Sequence, residues 1–307
     1  MSTATATKPG KAAKAPAPIK EKGLGKANWV IETAVLFLCL MWLIPTIGLF
    51  ITSIRPGDDA DKNGWWTWFA NPLRITMDNY SKALFDGSTP MGMAFVNSVA
   101  VAVPATIIPI MIAAFAAYAF TFMDFPGKDI MFIIIVGLLV VPNQVALVPL
   151  SVMFMKLGLQ GQFATVWLAH AGFGMPLAVY ILRNYMASLP RAVIESAKID
   201  GASHFQTFWK LIVPMSVPAL ASFAIFQFLW VWNDLLVALV FLGGGDKSVM
   251  TVAMAGLLGD RGQGWQILTA GAFLTMLLPL IVFLSPVSYT HLRAHETDSY
   301  LVCRLLL

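Results

Sequence analysis

Gln227, Trp230 and Asp234 recur at i, i+3 and i+7 inside an apolar run, with Asn233 beside them. On a helix that spacing puts an amide, an indole and a carboxylate on one face. A second apolar run contains Pro142-Asn143-Gln144, with Pro149 one and a half turns on, so the helix is loosened around two amides. A third holds His170, followed by Gly172, Gly174 and Pro176, which permit close helix packing or a bend. Polar groups within apolar runs of this length are costly in lipid and must face a bundle interior or water, which makes them candidates for a substrate path. Two readings stand for each. Asn143, Gln144 and the Gln227 face either line such a path or hydrogen-bond across helices. His170 either lines it or caps a freed carbonyl. Asp234 either belongs to the stripe or pairs with a neighbouring subunit. A proton relay needs a chain of titratable groups, and Asp234 is the only carboxylate well inside a run.

Other chemistry is missing. There is no HExxH, GxSxG or GxGxxG. Gly243-Gly244-Gly245-Asp246-Lys247-Ser248 comes nearest to a phosphate loop, but it lacks a glycine directly before the lysine and no strand precedes it. Work driven by ATP must therefore be done by another chain. Cys39 and Cys303 give neither a disulfide framework nor metal-ligand spacing. No catalytic residue, cofactor or metal site is assigned.

The elements that must position the polar groups follow from composition. Of 307 residues, 58% are hydrophobic and 12% charged, too little charge to cover a water-facing globule. The apolar residues are gathered into six runs, near 29–54, 92–123, 129–154, 162–185, 216–242 and 265–285, each long enough for a helical crossing. The fold class is all-α, a polytopic membrane protein with six transmembrane helices. Pro104 and Pro109 predict a tilt or kink in the second run. Residues 1–28, rich in Ala, Pro, Lys, Thr and Gly, read as a disordered basic arm, and 29–285 as the membrane domain.

Six lysines lie in the arm. Beside a hydrophobic span such charge sets orientation or touches anionic lipid; it does not point to nucleic acid. With the arm inside, eleven Lys and Arg fall on the cytoplasmic side and seven outside, so the N-terminus is expected in the cytoplasm. The 55–91 segment, with Trp65, Trp66, Trp68 and Phe69, then reads as an outer loop at headgroup level.

The 187–214 loop faces inward on that assignment. Pro190 stands near the start of one helical stretch, Gly201 breaks it, and a second begins near Ser203. Two short helices with a glycine joint make a rigid knob suited to docking into another protein.

In this loop the chain resembles the permease subunits of binding-protein-dependent ABC importers, whose signature reads Glu-Ala-Ala, three residues, Gly, nine residues, Ile-x-Leu-Pro. Here stand Glu195-Ser196-Ala197, Gly201 at the same spacing, then Leu211, Val213 and Pro214. Residues 25–285 further resemble the carbohydrate branch, through VPNQVALVPL, LAHAGFGMPLAVYILRNY and SFAIFQFLWVWNDLLVALVFL. They look like the second, shorter permease of glucose and α-glucoside importers. The resemblance implies a bacterial inner-membrane subunit of an ATP-driven carbohydrate importer, paired with an unlike second permease, two ATP-binding subunits and a periplasmic sugar-binding protein. It implies that Glu195, Ser196, Ala197, Asp200, Gly201 and Pro214 belong to the contact with the ATPase, and that the 243–264 loop, with Gly262 and Gly264, probes the binding protein. Asn143, Gln144, Gln227, Trp230 and Asn233 remain the substrate-path candidates. The alternative is a self-sufficient, ion-coupled transporter, whose uptake would be indifferent to removal of an ATPase.

Residues 286–307 read as a non-native tail, because 287–307 resemble translated sequencing-adapter DNA. His291, His295 and Cys303 are for that reason not assigned as metal ligands. A genomic read of the gene's 3′ end that reproduced all of 287–307 would exclude this origin.

Overall fold

A computed structural model describes residues 28–86, 90–257 and 264–284. Most of the basic arm, Gly262 and the 286–307 tail lie outside the described residues. Those described are helical, with no strand among them. The order is α1 (Asn28–Ser53), α2 (Gly57–Ala60), a 3-10 turn (Trp65–Ala70), α3 (Asp78–Phe85), α4 (Met91–Phe122), α5 (Lys128–Gly137) and α6 (Asn143–Lys156). Then come α7 (Phe163–Ala187), α8 (Arg191–Ile199), α9 (His204–Thr207), α10 (Val213–Trp232), α11 (Leu236–Phe241), α12 (Met250–Ala255) and α13 (Trp265–Leu284).

Five helices are long and apolar enough to cross a membrane, and six spans result if the bent α5–α6 pair is counted as one. The third run, expected over 129–154 as one helix loosened near Pro142, is broken there outright: α5 and α6 meet at 100°. Pro142 has no N–H to donate and forces an extended conformation on Val141 (φ −76°, ψ 120°), so α5 finishes in a 3-10 turn at Leu138–Val140. α6 restarts with Asn143 in its first turn. α4, by contrast, runs unbroken past Pro104 and Pro109.

The chain divides into two units, 1–47 and 48–307. In the first, α1 is exposed from Trp29 to Ile47, an apolar surface suited to lipid or to another protein. In the second, α4 packs chiefly on α7, and α10 packs on both. Small residues permit the approach: Ala102, Ala105, Ala113, Ala117 and Ala178 are fully buried. Two apolar cores result. One joins Met91–Ala105 of α4 to Val166, Trp232, Phe241 and Met250. The other joins Ala113–Phe120 to Leu182, Met186, Ile194, Phe208 and Phe223. Thr106, His170 and Gln227, all buried, occupy the level between them.

Loops at the Met91 end of α4 are held by polar side chains. Arg55, 4% exposed, donates to the carbonyls of Asp59, Asn63 and Gly64 and to Thr67 Oγ1. Asn79 donates to the Ser53 and Arg55 carbonyls. On α3, the hydrogen bond to the Asp78 carboxylate holds the Lys82 ammonium above its ordinary pKa.

Candidate functional site

Gln227 is fully buried on α10. Its Nε2 donates to the carbonyls of Ala105 on α4 (3.3 Å) and His170 on α7 (3.4 Å), while Oε1 has no partner. Gly174 makes room for it: a Cβ there would fall 2.6 Å from Oε1. A cavity of about 190 Å³ opens at this amide, lined also by Asn143, Trp230, Phe173, Phe226 and Leu138. Each feature traces to a local cause. The Pro142 break sets Asn143 in the first turn of α6, Gly174 lets α10 approach α7, and the i, i+3 spacing brings Trp230 beside Gln227.

None of the cavity's lining residues is ionisable. Amides and an indole N–H supply hydrogen bonds, and the aromatic rings supply apolar faces. A buried amide oxygen without a partner carries a desolvation penalty of roughly 1–3 kcal/mol that a ligand hydroxyl would relieve. The arrangement suits an uncharged ligand bearing hydroxyl groups on a partly apolar frame.

Three of the five substrate-path candidates, Asn143, Gln227 and Trp230, thus meet at one cavity. Gln144 is exposed and is not among the lining residues. Asn233 is exposed as well, its Nδ2 donating to the Leu229 carbonyl at 2.7 Å. The expected stripe is corrected at its far end, because α10 stops at Trp232 and Asp234 leaves the helix. Asp234 Oδ2 instead accepts from the Ala238 N–H at the start of α11. Phe173 and Phe226 escaped the sequence reading because phenylalanine within an apolar run offers no contrast.

The glycine-rich segment after α11 is a pinned loop. Asn97 donates to the Asp246 and Ser248 carbonyls, and Lys247 Nζ to the Gly161 carbonyl at 2.8 Å. The lysine is occupied, and no phosphate cradle forms.

At the opposite end of α4 lies the α8–α9 knob. Glu195, Ser196, Asp200 and Gly201 are exposed and Ala197 is half-buried, while Ile194 is buried against α4 and α7. Gly201 joins the helices at φ +78°, a left-handed conformation that favours glycine. Ser203 and Gln206 form a reciprocal capping box that starts α9. Ile199 is 86% exposed and Phe205 67%, apolar surface on the knob and therefore fit to be covered. Pro214 stands apart from α8, in the first turn of α10. Lacking an N–H, it leaves the Lys210 carbonyl out of the helical ladder, and residues Phe208–Ile212 adopt a π turn.

Residues 93–294 match the family described as binding-protein-dependent transport system inner membrane component. The osmoprotective compounds uptake permease protein of Synechocystis sp. is 55% identical, over 82% of this chain and 86% of its own length. The alpha-glucoside transport system permease protein of Rhizobium meliloti is 40% identical, over 83% of this chain and 93% of its own length. Among solved structures, a bacterial ABC transporter involved in the import of the acidic polysaccharide alginate superposes with a TM-score of 0.69 at 22% identity, over 87% of this chain and 98% of the other. That likeness speaks for the fold alone.

Proposed function

The chain belongs to the binding-protein-dependent transport system inner membrane components, and on that premise we propose that it is the permease subunit of an ATP-driven importer of an uncharged carbohydrate or polyol. It is not itself an enzyme. In this reading it contributes half of the translocation path beside a second permease. Of two ATP-binding subunits in the importer, one docks on α8 and α9 through Glu195, Ser196, Ala197, Asp200 and Gly201, and Pro214 shapes the turn that leads from that contact into α10. A periplasmic sugar-binding protein meets the 243–264 loop. The N-terminus and the knob face the cytoplasm.

One observation carries the reading: the knob and the cavity are joined by a single packed element. Ile194 of α8 shares a core with Phe208, Ile212 and Phe223, and α10, which follows directly, carries Gln227 and Trp230. A push on α8 is therefore delivered by close packing to the residues at the cavity. The uncharged lining supports a neutral sugar, in keeping with relatives that handle osmoprotective compounds and alpha-glucosides.

The test is uptake of labelled maltose, trehalose and sucrose by cells carrying all subunits, compared with cells lacking the ATP-binding subunit. Uptake of at least one sugar that disappears without the ATPase is expected. Uptake by this chain alone, driven by an ion gradient and unaffected by loss of the ATPase, would overturn the proposal.

A further inference from the structure

His170 is 1% exposed, and neither of its ring nitrogens has a hydrogen-bond partner. Its Nε2 stands 3.7 Å from Asp234 Oδ2, about 0.5 Å beyond the usual hydrogen-bonding range. Both groups sit where two systems meet. On one side, the His170 ring packs edge-on against Trp230, with centroids 5.3 Å apart at 89°, and its carbonyl accepts from Gln227. On the other, the Asp234 carboxylate accepts from Ala238 of α11, and its carbonyl accepts from Thr251 Oγ1 of α12 at 2.7 Å. The segment before α12 is tied down in turn, Ser98 accepting from the Met250 N–H and Asn97 holding the Asp246 and Ser248 carbonyls.

We propose that His170 and Asp234 form a positioning pair that ties the cavity at Gln227 and Trp230 to the 243–250 loop. The inference rests on the reading of that cavity as part of the sugar path. A buried imidazole with both nitrogens unbonded is the costlier of two arrangements, and an approach of about 1 Å would give it a charge-assisted bond. Asp234 cannot make that approach by itself, because its carboxylate caps α11 and its carbonyl holds Thr251. The contact therefore closes when α11, α12 and the loop move together, and closure acts on the ring that supports Trp230. A displacement of the loop by a docked protein is felt at the cavity, and an occupied cavity is felt at the loop.

The experiment uses the complete importer in proteoliposomes, with its binding protein and the best transported of maltose, trehalose and sucrose. ATP hydrolysed per sugar imported is measured for wild type, His170→Ala, His170→Gln, Asp234→Asn and the His170→Ala/Asp234→Asn double variant. Asp234→Asn keeps an oxygen to cap α11, and His170→Gln keeps a polar group of similar reach. His170→Ala and Asp234→Asn should each raise the ratio by at least about fivefold, the lower end of ordinary coupling between sites. The double variant should be no worse than the worse single one, and His170→Gln should recover most of the coupling. Hydrolysis without binding protein should stay unchanged.

A merely structural pair would lower the amount of protein in the membrane and the maximal rate while leaving the ratio at its wild-type value, and that result overturns the proposal. Additive losses overturn it too. Should His170→Ala fail to insert, Asp234→Asn and His170→Gln decide by the same ratio. The importer reading is judged separately, by whether wild type imports any of the sugars with ATP hydrolysis.

Discussion

Gln227 and Gly174 make one local argument that two substitutions can divide. Gln227→Leu removes both the amide oxygen left without a partner and the donor shared by Ala105 and His170. Loss of one ligand hydrogen bond is worth about 1.4 kcal/mol, a tenfold rise in half-saturating sugar. Gly174→Ala leaves the amide in place chemically but sets a methyl group 2.6 Å from Oε1, so the side chain must swing. It should reproduce the Gln227→Leu uptake kinetics, with membrane content unchanged in both; a wild-type Gly174→Ala would show that the amide's placement is irrelevant. Gly201 poses a different problem. Nothing lies within 4 Å of where its Cβ would be, so only the backbone, at φ +78°, objects to a side chain. Asn tolerates that region and a β-branched residue does not, the difference being about 1–2 kcal/mol. Gly201→Val should therefore reduce copurification of the ATPase severalfold and Gly201→Asn little, both inserted normally. Equal retention by the two variants would remove the joint from the docking contact.

Among the elements, the long apolar helices and the glycine-jointed knob were legible because their signals are contrasts: apolar runs against polar joints, Pro190 and Gly201 against helix formers. The bend between α5 and α6 and the end of α10 are less so. Pro142 signals a loosened helix, but the 100° turn that follows also depends on how α6 packs against α11 and α7, which no local pattern carries. The end of α10 at Trp232 has no local signal, since Asn233 and Asp234 fit the helical spacing; Asn233 still donates its N–H to the Leu229 carbonyl, and it is Asp234 that the bonds to Ala238 and Thr251 draw away. For this reason the carboxylate read as part of the Gln227 stripe stands instead at the start of α11, 3.7 Å from His170 Nε2. Pro142→Ala tests the element directly. Restoring the missing N–H favours a helix continuous from α5 into α6, which would carry Asn143 away from the cavity. Thiol labelling of Asn143→Cys should change at least severalfold when Pro142→Ala is added, and sugar uptake should fall with it. Unaltered labelling would mean that tertiary packing alone sets the bend.

For the whole molecule, the direction in which the bundle sits decides whether any of these residues can act, and the charges that set it are unevenly placed. Eleven Lys and Arg on the cytoplasmic side of the proposed topology face seven on the other, and six of the eleven belong to the N-terminal arm. Orientation is governed by such differences near the ends of the spans, so the margin of the entire protein rests on the charge of the N-terminal arm. Replacing the arm's lysines with glutamine leaves five against seven and removes the bias. The expected result is a mixed population, read from labelling of single cysteines placed at Ser188 and at Ser81 with a membrane-impermeant reagent. Wild type should label at the Ser81 position alone, and the glutamine variant at both. Import should fall in proportion to the inverted fraction, because an inverted chain presents Glu195 and Gly201 to the side without ATPase. A single orientation retained without the arm's charge would place the determinant in the spans and their loops, with Arg183, Arg191, Lys198 and Lys210 beside the knob as the residues to neutralise next.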